Sequence, residues 1–344
     1  MREDQFNEMF LLHKALLMSP DGTKRAIAHG YTHLNEIKEV NTFINWLSRS
    51  KIAPRFAYQG ERMVANRLGR KFMHLLGTDI DAIKRSYPDH IFSPGFEAFC
   101  KAVGSLRQEE KFGPLSAEAL QYHVRQLQAY VKSPPFQSAV NYQGRGSRKN
   151  YAGLTKLIDA LFESYSKLLV VRLDLGFRKS FPFGGQDDFH PTFEEVRGLW
   201  RQMLKFFRKR LKPRHLVGYA WKIEHAPDKG MHVHALLFFN GQEVSRDVQL
   251  AQMIGEYWAH QVTGGRGVYF NCKKEEYKYR GIGMIAHHDL ELRKGLAIAT
   301  AYLTKLDDLV SLVLPKGAKA FGKSAPPAGG HSGLGRPRMT IRKA

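Results

Sequence analysis

The chain has 344 residues, 43% hydrophobic and 25% charged, an ordinary globular composition long enough for two domains. A formal net charge of +21, from 53 Lys and Arg against 32 Asp and Glu, draws polyanions: nucleic acid first, an anionic membrane second. No apolar run approaches the roughly 20 residues of a membrane span, and the opening MREDQFNEMF lacks the pattern of a signal peptide. Cys100 and Cys272 are the only cysteines and form no CxxC pair, which excludes a cysteine-based zinc site and leads us to expect a reducing, cytoplasmic setting.

Residues 1–150 read as a mainly α-helical N-terminal region. From Asn35 to Ser48 the residues Ile37, Val40, Phe43, Ile44 and Leu47 recur at helical spacing behind Asn35 as a candidate cap, and Phe72, Leu75 and Leu76 continue the pattern. From Ser116 to Val131 the same spacing holds for Leu120, Val124, Leu127 and Val131, with Ser116 as the candidate cap. After Pro134 and Pro135 comes NYQGRGSRKN, residues 141–150, which is basic, glycine-containing and short of apolar residues. It reads as a linker or exposed loop and places a domain boundary near residue 150.

Residues 151–314 alternate in pattern. KLLVVRLDL, residues 167–175, reads as a strand, and residues 192–211 as a helix whose last turns collect Lys205, Arg208, Lys209 and Arg210 where the helix dipole favours cations. Residues 216–224 and 231–239 read as two strands joined by a tight turn containing Pro227, Asp228 and Gly230; residues 248–261 and 290–306 read as helices. This order predicts an α+β fold, a central antiparallel sheet with flanking helices collected on one side. Residues 315–344 contain no acidic residue and read as a basic, disordered tail.

Three features of this half carry chemistry. His232 and His234 flank one residue of the strand MHVHALLFF, so both imidazoles share a face and can bind one metal ion. If the hairpin pairs Glu224 with His232, that carboxylate is the third ligand; a slip by one residue presents His225 instead. Two neutral nitrogens and a carboxylate, with positions left open, suit Mg²⁺ or Mn²⁺ holding a phosphate. Tyr302, in ATAYLTKLD, has Lys305 three residues later on the same helix face. A phenol with an ordinary pKa of about 10 attacks phosphorus only where cations stabilise the phenolate and neutralise the phosphodiester.

Taken together, LLVVRLDL, YAWKIEHAPDKGMHVHALLFFNG, IGEYWAHQVTGGRGVYFNC, GIGMI and AYLTKLD resemble the HUH superfamily of rolling-circle replication initiators and relaxases. Within it, residues from about 167 to 323 are similar to inovirus gene-two-type replication proteins and their prophage relatives. The resemblance implies a metal-dependent endonuclease and DNA strand transferase, with His232, His234 and Glu224 as ligands, Tyr302 as nucleophile and Lys305 as its electrostatic helper. Ile298 stands one turn before Tyr302, which implies the single-tyrosine type. Single-stranded origin DNA is the implied partner, with a host helicase and polymerase behind it; no membrane and no nucleotide cofactor are expected. Outside the resemblance, a non-catalytic nucleic-acid-binding regulator with a degenerate HUH fold is the rival, and a water-using phosphodiesterase the third reading. Trp221, Tyr219 and Tyr269 are candidates for stacking on bases.

GAKAFGKS, residues 317–324, matches a phosphate-binding loop pattern, but Pro326 and Pro327 stand where its helix must begin, so a basic loop touching DNA is expected instead. His287 and His288 are adjacent and so point apart, which favours a surface or capping role.

Overall fold

The computed structural model describes residues 17–18, 24–25, 29–178, 190–212, 215–227, 229–272 and 280–327. In the N-terminal region helix α1 (His29–Arg49) buries Ile37, Val40, Phe43, Ile44 and Leu47, the stripe its spacing predicts. It begins before Asn35, which lies inside the helix and caps nothing. A hairpin, β1 (Phe56–Gln59) and β2 (Arg62–Ala65), and the short strand β3 (His90–Phe92) interrupt what reads as wholly helical sequence. Helices α2 (Arg67–Leu76), α3 (Ile80–Ser86), α4 (Pro94–Glu110) and α5 (Ala117–Lys132) open on Asn66, Asp79, Ser93 and Ser116. Each of these side chains accepts a hydrogen bond from the N–H three residues on.

The linker expected at residues 141–150 is helix: α6 runs unbroken from Pro134 to Ser164 and spans the boundary placed near residue 150. A helix needs no apolar residue on its solvent face, and the exposed positions of this stretch alternate with buried Gly144 and Ser147.

The second half is built on β4 (Lys167–Phe177), β5 (Leu216–Ala226) and β6 (Gly230–Asn240). With β7 (Gly267–Asn271), β8 (Gly283–Ala286) and β10 (Phe321–Lys323) they form an antiparallel sheet in the order β8–β4–β6–β5–β10. β7 joins β4 on the same edge as β8, at the opposite end of that strand. The fold is α+β, as expected, but helices cover both faces. Strand residues Leu173, Val233, Ala235 and Leu237 pack under α7 (Phe193–Phe206) and α8 (Asp247–Glu256), each of which ends in a π-helical turn. On the other face Leu168, Val170, Leu236 and Phe238 pack under α6 and α9 (Leu290–Lys305). The sequence hides this second layer because half of it is α6, whose residues 141–150 read as a linker or exposed loop.

Two glycines let α9 seat closely. A Cβ on Gly295 would lie 2.0 Å from the carbonyl oxygen of Arg280, and one on Gly281 would lie 2.2 Å from the backbone of Gly295. Backbone therefore meets backbone where the chain entering β8 passes α9, and a side chain at either position would push the helix off the sheet. Beyond α9, β9 (Val310–Leu312) pairs antiparallel with β3, joining the segment after α9 to the N-terminal region. The tail is ordered at its start: residues 321–323 are β10, an edge strand paired to residues 220–222 of β5. The phosphate-loop pattern thus ends in a strand rather than opening a helix. Residues 328–344 lie outside the described residues.

Candidate metal centre

The hairpin register pairs Glu224 with His232 and Lys222 with His234, while His225 faces Met231 on the other side of the sheet. The alternative third ligand is thereby excluded. β6 is the central strand, so on its other side Asp174 of β4 pairs with His234. Alternation along the three strands gathers Arg172, Asp174, Lys222, Glu224, His232 and His234 onto one half of one face, beside the apolar half covered by α6 and α9.

Glu224, His232 and His234 are buried and form the one group among the described residues with metal-ligand geometry. Glu224 Oε2 and His232 Nε2 each lie 3.1 Å from His234 Nε2, and 3.9 Å from one another. Adjacent ligands about 2.1 Å from a divalent ion stand roughly 3.0–3.4 Å apart, so two of the three edges already have ligand spacing. The opposite nitrogens are committed: His232 Nδ1–H donates to the Gly230 carbonyl at 3.0 Å, and His234 Nδ1–H donates to the Asp174 carboxylate. Both Nε2 atoms therefore converge with Glu224 Oε2, and Asp174 fixes the orientation of the His234 ring, as a carboxylate does behind an imidazole that would hold a metal. The triad can hold a metal ion.

Electrostatics support this arrangement. Burial, with His234 beside it, pulls His232 down to about 3 against the opposing pull of Glu224. Burial pulls on His234 the same way, but Asp174 and Glu224 outweigh it and leave that imidazole raised. Burial would raise both carboxyls; His234 and Arg172 hold Asp174, and Lys222 and His234 hold Glu224, well below the usual carboxylate range. Of the two imidazoles, His234 is therefore the one whose surroundings favour a proton.

Sequence reasoning missed Lys222. Its ammonium is 1% exposed, 2.8 Å from Glu224 Oε1 and 3.0 Å from Asp307 Oδ1, just beyond α9. Burial disfavours its charge, yet Asp307 and Glu224 together raise its pKa.

Tyr302 lies on the triad's face of the sheet. Its ring meets that of His234 edge-on, centroids 5.7 Å apart, and the Arg172 guanidinium lies 4.7 Å over it. Tyr302 is 5% exposed and clusters with Ile298, Ala301 and Tyr151 of α6. Lys305 is the last residue of α9; its side chain lies outside the described residues. Trp221, Tyr219 and Tyr269 point away from the triad, into the core under α7 and α8. Asp289 receives the Leu292 N–H at the start of α9, and His287 Nδ1 contacts the Ser166 carbonyl. Cys100 and Cys272 are buried free thiols. No helix among the described residues is long and apolar enough to cross a membrane.

These features define a class: a basic α+β protein whose antiparallel sheet carries a buried triad of two histidines and one carboxylate that could hold a metal ion, with a tyrosine-bearing helix laid over it. Residues 136–324, more than half of the chain, match the YagK/YfjJ C-terminal domain model, and the chain belongs to that family of prophage-encoded proteins. No curated protein and no solved structure matches it.

Proposed function

We propose that this protein is an HUH-type endonuclease that cuts and rejoins single-stranded DNA to start rolling-circle replication of a prophage or phage element. One observation carries the reading: the Tyr302 ring packs edge-on against a histidine of the buried Glu224–His232–His234 triad. Net charge, motif order and membership of a prophage-encoded family agree with it.

Mg²⁺ or Mn²⁺ held by the triad would polarise the scissile phosphodiester. Tyr302 Oη then forms a bond to phosphorus as the P–O3′ bond breaks. The phenolic proton passes to solvent, the leaving 3′ oxygen takes up a proton, and the 5′ phosphate stays on the enzyme as a phosphotyrosine ester. Rejoining is the reverse attack by a 3′ hydroxyl, which conserves bond energy and needs no nucleotide cofactor. Arg172 over the ring favours the phenolate, and Lys305, three residues on, is the electrostatic helper that the resemblance implies. The DNA's 3′ end would then serve the host helicase and polymerase in the bacterial cytoplasm.

Burial of Tyr302 favours a second reading, a non-catalytic nucleic-acid-binding regulator, because a nucleophile must be reached by its phosphate. Incubation with Mn²⁺ and a single-stranded oligonucleotide spanning the element's origin separates the readings. The expected result is a nick with a covalent 5′ adduct, and Tyr302→Phe should abolish the adduct while leaving DNA affinity within about threefold. Binding without a nick would establish the regulator, and a nick without an adduct would establish attack by water.

A further inference from the structure

We propose that the cavity between the N-terminal helical region and the tip of the β5–β6 hairpin is a nucleobase pocket for the DNA strand held at the metal centre. This rests on the nucleic-acid reading above and extends it to a part of the chain outside the matched residues 136–324.

The cavity has a volume of about 320 Å³, at the small end of ligand sites. Glu224 and His232 line it, so its occupant lies directly beside two of the three ligand residues. The facing wall comes from the N-terminal region, through Leu34, Tyr87 and His90. The His90 ring stands 5.1 Å from that of Tyr87 and 5.2 Å from that of His225, so three rings border the space. Its Nδ1 is buried without a hydrogen-bond partner among the described residues, and such an atom calls for a ligand or water that bonds to it.

The chemistry of the lining selects the occupant. Burial holds His90 neutral, at about 4. The lining sets two carboxylates, Asp307 and Glu224, against one lysine, Lys229, so the pocket is not a phosphate cradle. Apolar surface from Ile223, Val310 and Leu312 completes the walls. A flat, uncharged ring with hydrogen-bonding edges satisfies all of this, as a base turned out of a single strand does. The N-terminal region would then select the base beside the scissile phosphate, giving this chain a sequence preference that its family domain does not encode by itself.

The test is photo-crosslinking of the full chain, with Mn²⁺, to single-stranded oligonucleotides of random sequence carrying one 5-iododeoxyuridine. Peptide mapping should place a major crosslink in the tryptic peptide Ser86–Lys101, which holds Tyr87 and His90. Ser311→Phe, filling the cavity, and His90→Ala should each reduce it at least tenfold, while Mn²⁺ affinity stays within twofold as a check on the fold. Crosslinks mapping only elsewhere, or unchanged in both variants, would overturn the pocket even where the phosphotyrosine adduct forms. A crosslink in Ser86–Lys101 with no adduct would keep the pocket and remove the nuclease reading. Loss of the crosslink to micromolar free deoxynucleoside monophosphate, with nicking unaffected, would overturn the assignment to the DNA strand.

Discussion

Lys222 and His234 face each other across the β5–β6 pairing, and each balances the carboxylates differently. The ammonium at Lys222 is permanent, and Glu224 and Asp307 both depend on it. Lys222→Met should destabilise the protein by roughly 3–5 kcal/mol, the cost of breaking a buried ion pair. Because Glu224 then lacks its competing cation, Mn²⁺ should raise the melting temperature of the variant by more than that of the wild type. Equal Mn²⁺ shifts in the two melting curves would remove Glu224 from the ligand set. His234 must give up any proton it holds when a metal ion binds. Its folded pKa lies above the unfolded value of about 6.5. Protonation of His234 therefore stabilises the metal-free fold fully below pH ~6.5, and that stability is lost as pH rises through the folded value. Mn²⁺ affinity should run the opposite way, weakening about tenfold per pH unit below the folded value and levelling off above it. Calorimetry at about pH 6, below the folded value, in buffers of different ionisation enthalpy should record about one proton released per ion bound; no release there would mean that His234 is not a ligand. At this scale the sequence narrowed the third member of the triad to Glu224 or His225, because one residue separates the two histidines and a short turn leaves few registers. Asp174 was legible only as a polar residue interrupting LLVVRLDL. Its bond to His234 depends on β4 lying beside β6, which no local pattern states.

The same limit acts on whole elements. Long strands and helices with clear periodicity emerge where expected, since a buried stripe or an alternating face is written into the residues that form it: β4, β5 and β6 each differ from the sequence reading by at most two residues at either end. The strands β7 to β10 have five residues or fewer and are set by pairing rather than by pattern. The largest departure is residues 141–150, where glycines and cations suggest a loop and α6 continues, because its buried flanks on both sides, Phe136 before and Leu154, Leu157, Ile158 and Leu161 after, hold the helix together. Gly146 tests this directly. It is exposed within α6, and a Cβ added there meets nothing within 4 Å. Gly146→Ala should therefore stabilise the protein by about 0.5–1 kcal/mol, through helix propensity alone. Denaturant unfolding that shows no gain would restore the loop.

The helical region has a core of its own, and two residues from beyond α9 belong to it, which decides how far the family domain can stand alone. Leu309 and Val310, which follow α9, are buried in the N-terminal core with Phe92 and Phe96, and Val310 pairs with Phe92 through β9 and β3. Two residues earlier, Asp307 holds Lys222 and through it Glu224. The path from the N-terminal core to the candidate metal ligand is thus a few residues long and passes the end of the Tyr302 helix. The +21 charge adds self-repulsion that only apolar burial offsets. A fragment beginning at residue 136, where the family match starts, would expose Leu309 and Val310. Burying two such side chains is worth roughly 3–6 kcal/mol. At about 2–4 °C per kcal/mol for a domain of this size, the fragment should melt roughly 6 °C or more below the full chain. Its Mn²⁺ affinity should fall as well, since displacing Asp307 with its exposed neighbours leaves Lys222 to compete undivided with the ion for Glu224. Circular dichroism melts and Mn²⁺ titrations of fragment and full chain measure both. A fragment that matches the full chain in each would make the N-terminal region an independent module, and the wall it contributes to the cavity beside Glu224 a contact without consequence.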